Sequence, residues 1–105
     1  MTVVPDMGMA IVGSFFPSDY EEKAVARATE ELHALTANHV PAGTKVQHHV
    51  ASGTIYREIL NVADQIGVDL IIMSAHRPEL EDYLLGPNAA RVVRHARCSV
   101  LVVRD

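Results

Sequence analysis

Residues 68–104, VDLIIMSAHRPELEDYLLGPNAARVVRHARCSVLVVR, decide the fold of this chain. The stretch begins with VDLIIM (68–73) and ends with SVLVVR (99–104). Both are nearly continuous apolar runs, which are typical of strands buried on both faces of a parallel sheet. Between them, a Gly-Pro turn predicts a helix from about 87 to 96. A strand, a helix and a second strand in this order indicate a parallel α/β architecture.

The rest of the chain continues the alternation of strands and helices. Apolar or alternating residues predict short strands at 1–4 and 45–51. Periodic apolar residues predict helices from Ser18 to about Asn38 and over about 55–66. We therefore predict one domain, residues 1–105, with about four strands and three helices in a doubly wound, Rossmann-like parallel sheet.

The two upstream helices carry start and stop signals. Ser18-Asp19-Tyr20-Glu21 has the form of a capping box, in which Ser18 bonds a free N–H and Glu21 reaches back. Gly67 is predicted to end the second helix as its C-terminal cap. The residues predicted to face the core are Ala24, Ala28, Leu32 and Leu35 in the first helix and Ile55, Ile59, Val62, Ala63 and Ile66 in the second.

Composition narrows the class of protein. The chain has 105 residues, 49% of them hydrophobic, and a net charge of −4. This charge argues against a nucleic-acid partner, because a basic field is missing. No apolar run reaches membrane length, and the single Cys98 suits a reducing compartment. We expect a soluble, cytoplasmic domain with no membrane partner.

The loop from Ser74 to Gly86 is the strongest candidate site. It leaves the carboxyl end of a strand, where ligands bind in open α/β sheets. It ends at a helix N-terminus, where free N–H groups and the helix dipole favour an anion. The N–H groups predicted to be free there are those of Asn88, Ala89 and Ala90.

Two loop side chains, His76 and Arg77, would add hydrogen bonds or charge to a bound phosphate. Both residues also have simpler interpretations. His76 would only bond a backbone carbonyl, and Arg77 would pair with a nearby acidic residue, Glu79, Glu81 or Asp82. The arginines of the last helix, Arg91, Arg94 and Arg97, are expected on its solvated face.

Metal binding and nucleophilic catalysis have little support in the sequence. His48 and His49 point to opposite faces of a predicted strand, and His33 and His39 are too far apart on one helix to chelate together. Cys98 precedes a buried strand and is predicted to be a small core residue. We therefore predict no catalytic residue and no structural metal.

Three stretches resemble the universal stress protein (UspA-like) family: VDLIIMSAHRP (68–78), YLLGPNAARVVRHARCSVLVVR (83–104) and GTIYREILNVADQIGVDLI (53–71). The match is closest to the F/G branch, whose nucleotide loop reads His-Arg-Pro followed by Tyr-Leu-Leu-Gly. The resemblance implies an adenine nucleotide alpha hydrolase-like fold, a five-stranded parallel sheet with helices on both sides. It also implies ATP binding in a cleft at the strand ends.

TVVP (2–5) looks like the second strand of that branch, so the chain lacks a counterpart of the family's first strand and helix. In the family this strand is central, between strand 2–4 and strand 68–73, and its Asp contacts the nucleoside. Its loss would leave unpaired backbone groups. We therefore expect the natural chain to be longer, with Met1 an internal or misassigned start.

The resemblance also assigns a nucleotide site. Val3 would line the adenine side. The ribose and phosphate side would be formed by Met73, Ser74, His76 and Arg77, and the phosphates would meet Gly86, Asn88 and Ala89. The chain departs from the broader family loop where Ser74 and Arg77 replace glycines and Pro87 replaces a hydroxyl residue.

Together these features predict a stress-response regulatory protein that binds ATP or AMP, with Mg²⁺ as the companion ion. In the family the last strand pairs with its twin, so we expect a homodimer or higher homo-oligomer through Val100, Leu101, Val102 and Val103. ATP hydrolysis or self-modification would be slow, since no Walker lysine is visible. The alternative is a dimeric interaction module that binds no nucleotide and uses the apolar loop 7–16 and the C-terminal strand. A small phosphatase-like enzyme acting through His76 is a third interpretation.

Overall fold

The computed structural model describes residues 1–5, 20–75 and 86–104. The elements follow in the order β1 (Thr2–Pro5), α1 (Tyr20–His39), β2 (Val50–Gly53), α2 (Ile55–Ile66), β3 (Leu70–Ser74), α3 (Pro87–His95) and β4 (Ser99–Val103). They divide into two compact units: unit 1, Met1–Ile55, and unit 2, Tyr56–Asp105. Within the described ranges, no helix combines the length and apolar character needed to cross a membrane.

The strands of the described residues form two parallel pairs. β1 pairs with β2, with Thr2 opposite Val50, and β3 pairs with β4, with Leu70 opposite Ser99. The predicted α/β architecture with parallel strands is therefore confirmed. Within the described residues, each pair forms a two-stranded sheet of its own.

α1 packs on both strands of unit 1 and buries Leu32, which is 6% exposed. Half-buried residues at four-residue spacing continue this stripe: Ala24, Ala28 and Thr36. The prediction that Leu35 faces the core is wrong, because its side chain is 55% exposed. The stripe follows the i, i+4 spacing through Thr36, and Leu35 lies to one side of it.

β2 begins later than predicted. The alternation over 45–51 predicted a strand there, but the paired strand is Val50–Gly53. Thr2 stands opposite Val50, and the Thr2 N–H donates to the His49 carbonyl at 2.9 Å. Residues 44–48 therefore have no strand beside them in the described part of the chain, and His48 contacts α1 instead.

The helices of unit 2 lie where they were predicted. α2 spans Ile55–Ile66, and Gly67 follows with a φ of 67°, the left-handed conformation expected of a C-terminal cap. The Ala63 carbonyl accepts hydrogen bonds from the N–H groups of Gly67 (3.0 Å) and Val68 (3.2 Å). The inward placement of Ile66 is wrong, since this residue is 47% exposed. It is the last residue of the helix, and no later helical turn packs beside it.

The strands of unit 2 are not buried on both faces, so this prediction is also wrong. Residues of β3 and β4 alternate between exposed and half-buried. α3 packs on β4 and buries Ala89 and Val92. The large exposed side chains of the two strands are Leu70 (45%), Ile72 (64%), Leu101 (51%) and Val103 (45%). We call these four residues the apolar face of unit 2. The described residues place no element over it.

Candidate functional site

The first part of the candidate site is the carboxyl end of β3. Met73 is half-buried opposite Val102, and Ser74 is exposed opposite Val103. The next residue, Ala75, is 7% exposed, and its N–H donates to the Val103 carbonyl at 3.1 Å. The parallel pairing thus continues up to the point where the chain leaves the sheet. His76 and Arg77, which were predicted to bind phosphate, lie outside the described residues.

The second part is the N-terminus of α3. Gly86 is the N-cap, with φ 83° and ψ 162°, and Pro87 occupies the first helical position. A side chain at Gly86 would be strained, because L residues rarely adopt this positive φ. Pro87 fits because its fixed φ suits the first turn and its missing N–H would have had no helical acceptor.

The free donors of this helix end are fewer than predicted. The Ala90 N–H donates to the Gly86 carbonyl at 3.1 Å, which is the first bond of the helix. The prediction that Ala90 offers a free N–H is therefore wrong. The N–H groups of Asn88 and Ala89 precede this bond and have no acceptor within the helix. Asn88 is half-buried and Ala89 is 3% exposed.

Arg91 has a partner that the sequence did not reveal. Its guanidinium carbon lies 5.1 Å from the centre of the Tyr56 ring, and Arg57 approaches the same ring at 6.0 Å. These distances are within the range of cation–π contacts. Arg91 is exposed, as expected, and its guanidinium also approaches the Tyr56 ring. The i, i+3 patterns used for helix faces carry no signal for such a contact between two helices.

Val3, assigned to the adenine side, belongs to unit 1, where it is half-buried opposite Ala51. The other described site residues belong to unit 2. The residues assigned to the dimer contact lie on β4, where Val100 and Val102 are half-buried while Leu101 and Val103 are exposed. The apolar loop 7–16 lies outside the described residues.

Unit 1 holds two polar contacts that the sequence did not predict. The Ser52 hydroxyl donates to Glu21 Oε1 at 2.6 Å, which ties the end of β2 to the start of α1. Glu21 was predicted to reach back to Ser18, which lies outside the described residues. The rings of His33 and His48 are stacked, and His48 Nε2 lies 2.7 Å from Thr36 Oγ1. The described residues contain no group of three or more His, Cys, Asp or Glu that could hold a metal.

The prediction that Cys98 is a small core residue is wrong. It is half-buried and lines a pocket of about 110 Å³ in unit 2. The pocket lies between the last turns of α2 and the start of β4, with Ala63 and Ile71 among its apolar walls. Its residues are distinct from those assigned to the nucleotide.

Comparison with known proteins identifies a family. The model of the Universal stress protein family matches residues 1–104. Universal stress protein G of Escherichia coli O157:H7 is 32% identical over 85 residues, which are 81% of this chain and 60% of that protein. Universal stress protein MJ0577 of Methanocaldococcus jannaschii is 29% identical over 90 residues, 85% of this chain and 56% of the relative.

Two solved structures have a fold similar to that of this chain. A structure of hypothetical protein MJ0577 superposes with a TM-score of 0.80 at 27% identity and covers 98% of this chain and 72% of that one. Hypothetical protein PH0823 gives a TM-score of 0.79 at 23% identity, which supports the fold alone. The chain spans about 60% of the length of the universal stress protein G sequences that it matches.

Proposed function

The chain belongs to the universal stress protein family, and from this premise we propose that it is a stress-response regulatory protein that binds an adenine nucleotide, ATP or AMP. The proposed phosphate site is the junction of β3 and α3, residues 73–89. The observation that carries the proposal is the start of α3. There Gly86 adopts a positive φ of 83° and is followed by the N–H groups of Asn88 and Ala89.

The start of α3 suits a phosphate chemically. The positive end of the helix dipole and two N–H groups without a helical acceptor attract an anion. A charge at such a position is stabilised by about 0.3–1 kcal/mol. Pro87 offers no N–H, so the site has few donors and we expect weak binding. Mg²⁺ would enter with the phosphates of ATP, since this ion is usually bound through substrate phosphates and only one or two carboxylates.

We further propose a cytoplasmic homodimer that forms through β4. This strand pairs with β3 on one side, and Leu101 and Val103 expose apolar surface next to that pairing. An exposed strand edge is a ready template for pairing with another chain. The cytoplasmic location rests on the single Cys98, which is typical of proteins from reducing compartments.

Native mass spectrometry of the purified protein tests both proposals at once. We expect ions of dimer mass that carry ATP or AMP. Absence of nucleotide, together with no calorimetric response to millimolar ATP, would contradict nucleotide binding. A dimer without nucleotide would favour the alternative, an interaction module.

A matched pair of substitutions locates the phosphates. Asn88→Asp places a carboxylate beside the proposed anion, whereas Asn61→Asp makes the same charge change at an exposed position of α2. A like charge at short range in solvent opposes binding by about 1 kcal/mol, so we expect Asn88→Asp to weaken ATP binding about fivefold. Asn61→Asp should leave the affinity unchanged. Equal effects of the two substitutions would contradict the proposed site.

A further inference from the structure

His33 and His48 form a stacked pair in unit 1. Their ring centroids lie 3.9 Å apart, and the ring planes differ by 27°. His33 lies on α1, whereas His48 lies on residues 44–49, the segment that leads into β2. The pair therefore joins this segment to the helix, one residue before the point where the Thr2 N–H bonds the His49 carbonyl.

A hydrogen bond supports the stack. Thr36 Oγ1 lies 2.7 Å from His48 Nε2 and 3.0 Å from the His33 carbonyl oxygen. The hydroxyl has one hydrogen. When it donates this hydrogen to the His33 carbonyl, its oxygen accepts from a protonated Nε2 of His48. This arrangement suits both the neutral Nε2–H tautomer and the charged ring, so the hydrogen bond itself does not select a charge state.

The burial of His48 and the charges around it do select one. The groups that act on His48 are His33 from α1 and the ammonium of Met1 next to β1, while Lys45 and His49 flank it on its own segment. The carboxylate of Glu31 on α1 is paired with Arg27 at 3.2 Å. Partial burial, the His33 ring and the Met1 ammonium lower the pKa of His48 below its ordinary value of 6.5.

We propose that the stacked His33–His48 pair is an acid-sensitive clasp that holds residues 44–49 on α1 near neutral pH and releases them on acidification. When both imidazoles are protonated, two cations face each other across the 3.9 Å stack, and the stacked geometry is lost.

The direction of the effect follows from linkage. The folded-state pKa of His48 is lower than its unfolded value, so the unfolded chain binds the proton more readily. The stabilisation is fully present above the unfolded value of about 6.5 and is lost as the pH falls through the lower folded value. The sensitive range therefore begins just below neutral pH.

The test is an NMR titration of the histidine ring signals in the full chain between about pH 8 and pH 5. We expect His48 to titrate below 6.5. Hydrogen-exchange protection of the Thr2 amide, which is bonded to the His49 carbonyl, should fall several-fold as His48 is protonated. A His48 midpoint at or above 6.5, or Thr2 protection that does not change over this range, would overturn the proposal.

Two substitutions separate the stack from general effects of charge. His33→Gln removes the facing imidazole and should move the His48 midpoint up towards 6.5. His39→Gln removes an exposed histidine from the same helix and should leave the midpoint unchanged. An identical midpoint in both variants would contradict the clasp. If His33→Gln fails to fold, the titration of the unmodified chain still decides the proposal.

Discussion

Unit 1 and unit 2 each combine a parallel strand pair with helices, but they are stabilised differently. In unit 1, α1 covers β1 and β2, whose residues are mostly half-buried. Two polar contacts, Ser52 with Glu21 and His48 with Thr36, connect its segments. In unit 2, small and branched apolar residues form the core, and the strands keep one face exposed.

The difference shows what a parallel strand pair requires. Parallel strands have apolar residues on both faces and need cover on both sides. In unit 2, α3 covers one face through Ala89 and Val92, and no described element covers the apolar face. In unit 1, the two side-chain hydrogen bonds join residues of α1 to β2 and to the segment that precedes β2. The candidate phosphate site lies in unit 2, whose small core includes Ala89 and Val92 of α3.

The core of unit 1 depends on Leu32, so its loss should have the largest effect. Leu32→Ala should lower the free energy of unfolding by about 3 kcal/mol, because it removes a buried side chain and leaves a cavity. The control is Leu35→Ala on the same helix, where 55% exposure limits the expected loss to under about 1 kcal/mol. Urea unfolding measures both values. Equal losses would mean that α1 does not pack through the Leu32 stripe.

The core of unit 2 depends in the same way on Val92, which is fully buried. Val92→Ala should cost about 2 kcal/mol, and Val93→Ala, at a position 47% exposed, should cost no more than about 0.5 kcal/mol. Denaturant unfolding of this pair, compared with the Leu32 pair, ranks the two cores. A larger loss for Val93→Ala than for Val92→Ala would reverse the assigned face of α3.

The smallest effect is expected at the apolar face of unit 2. Ile72→Thr should change the free energy of unfolding by less than about 0.5 kcal/mol, because the side chain is 64% exposed. Ile71→Thr, on the half-buried face of the same strand, should cost about 1 kcal/mol. A cost for Ile72→Thr that matches or exceeds that of Ile71→Thr would show that the face is covered in solution.

The fold was largely predictable because local signals determine its elements. The Gly-Pro turn at Gly86 and the cap at Gly67 placed the ends of α3 and α2 within one residue. The family followed from the loop motif and the last strand. The start of β2 was not predictable, since it depends on which residue of β1 stands opposite it.

Contacts between residues that are far apart in the sequence could not be predicted either. The apolar sequences of β3 and β4 predict strands. The exposure of their side chains depends on which elements cover each face of the sheet, and the sequence pattern does not show this. The stack of His33 on His48 joins residues 15 positions apart, so no helix or strand spacing predicts it. Of the candidate site, the helix start and Gly86 could be predicted. The number of its free N–H groups depended on the Ala90 bond to Gly86.

The proposed binding of an adenine nucleotide at the start of α3 is tested most directly by titrating ¹⁵N-labelled protein with ATP and following the backbone amides. The account predicts that the Asn88 and Ala89 amides shift most and saturate together with the Gly86 amide. The Thr36 amide, in the last turn of α1, should not move. Shifts confined to other parts of the chain, or no shifts at millimolar ATP, would contradict the account.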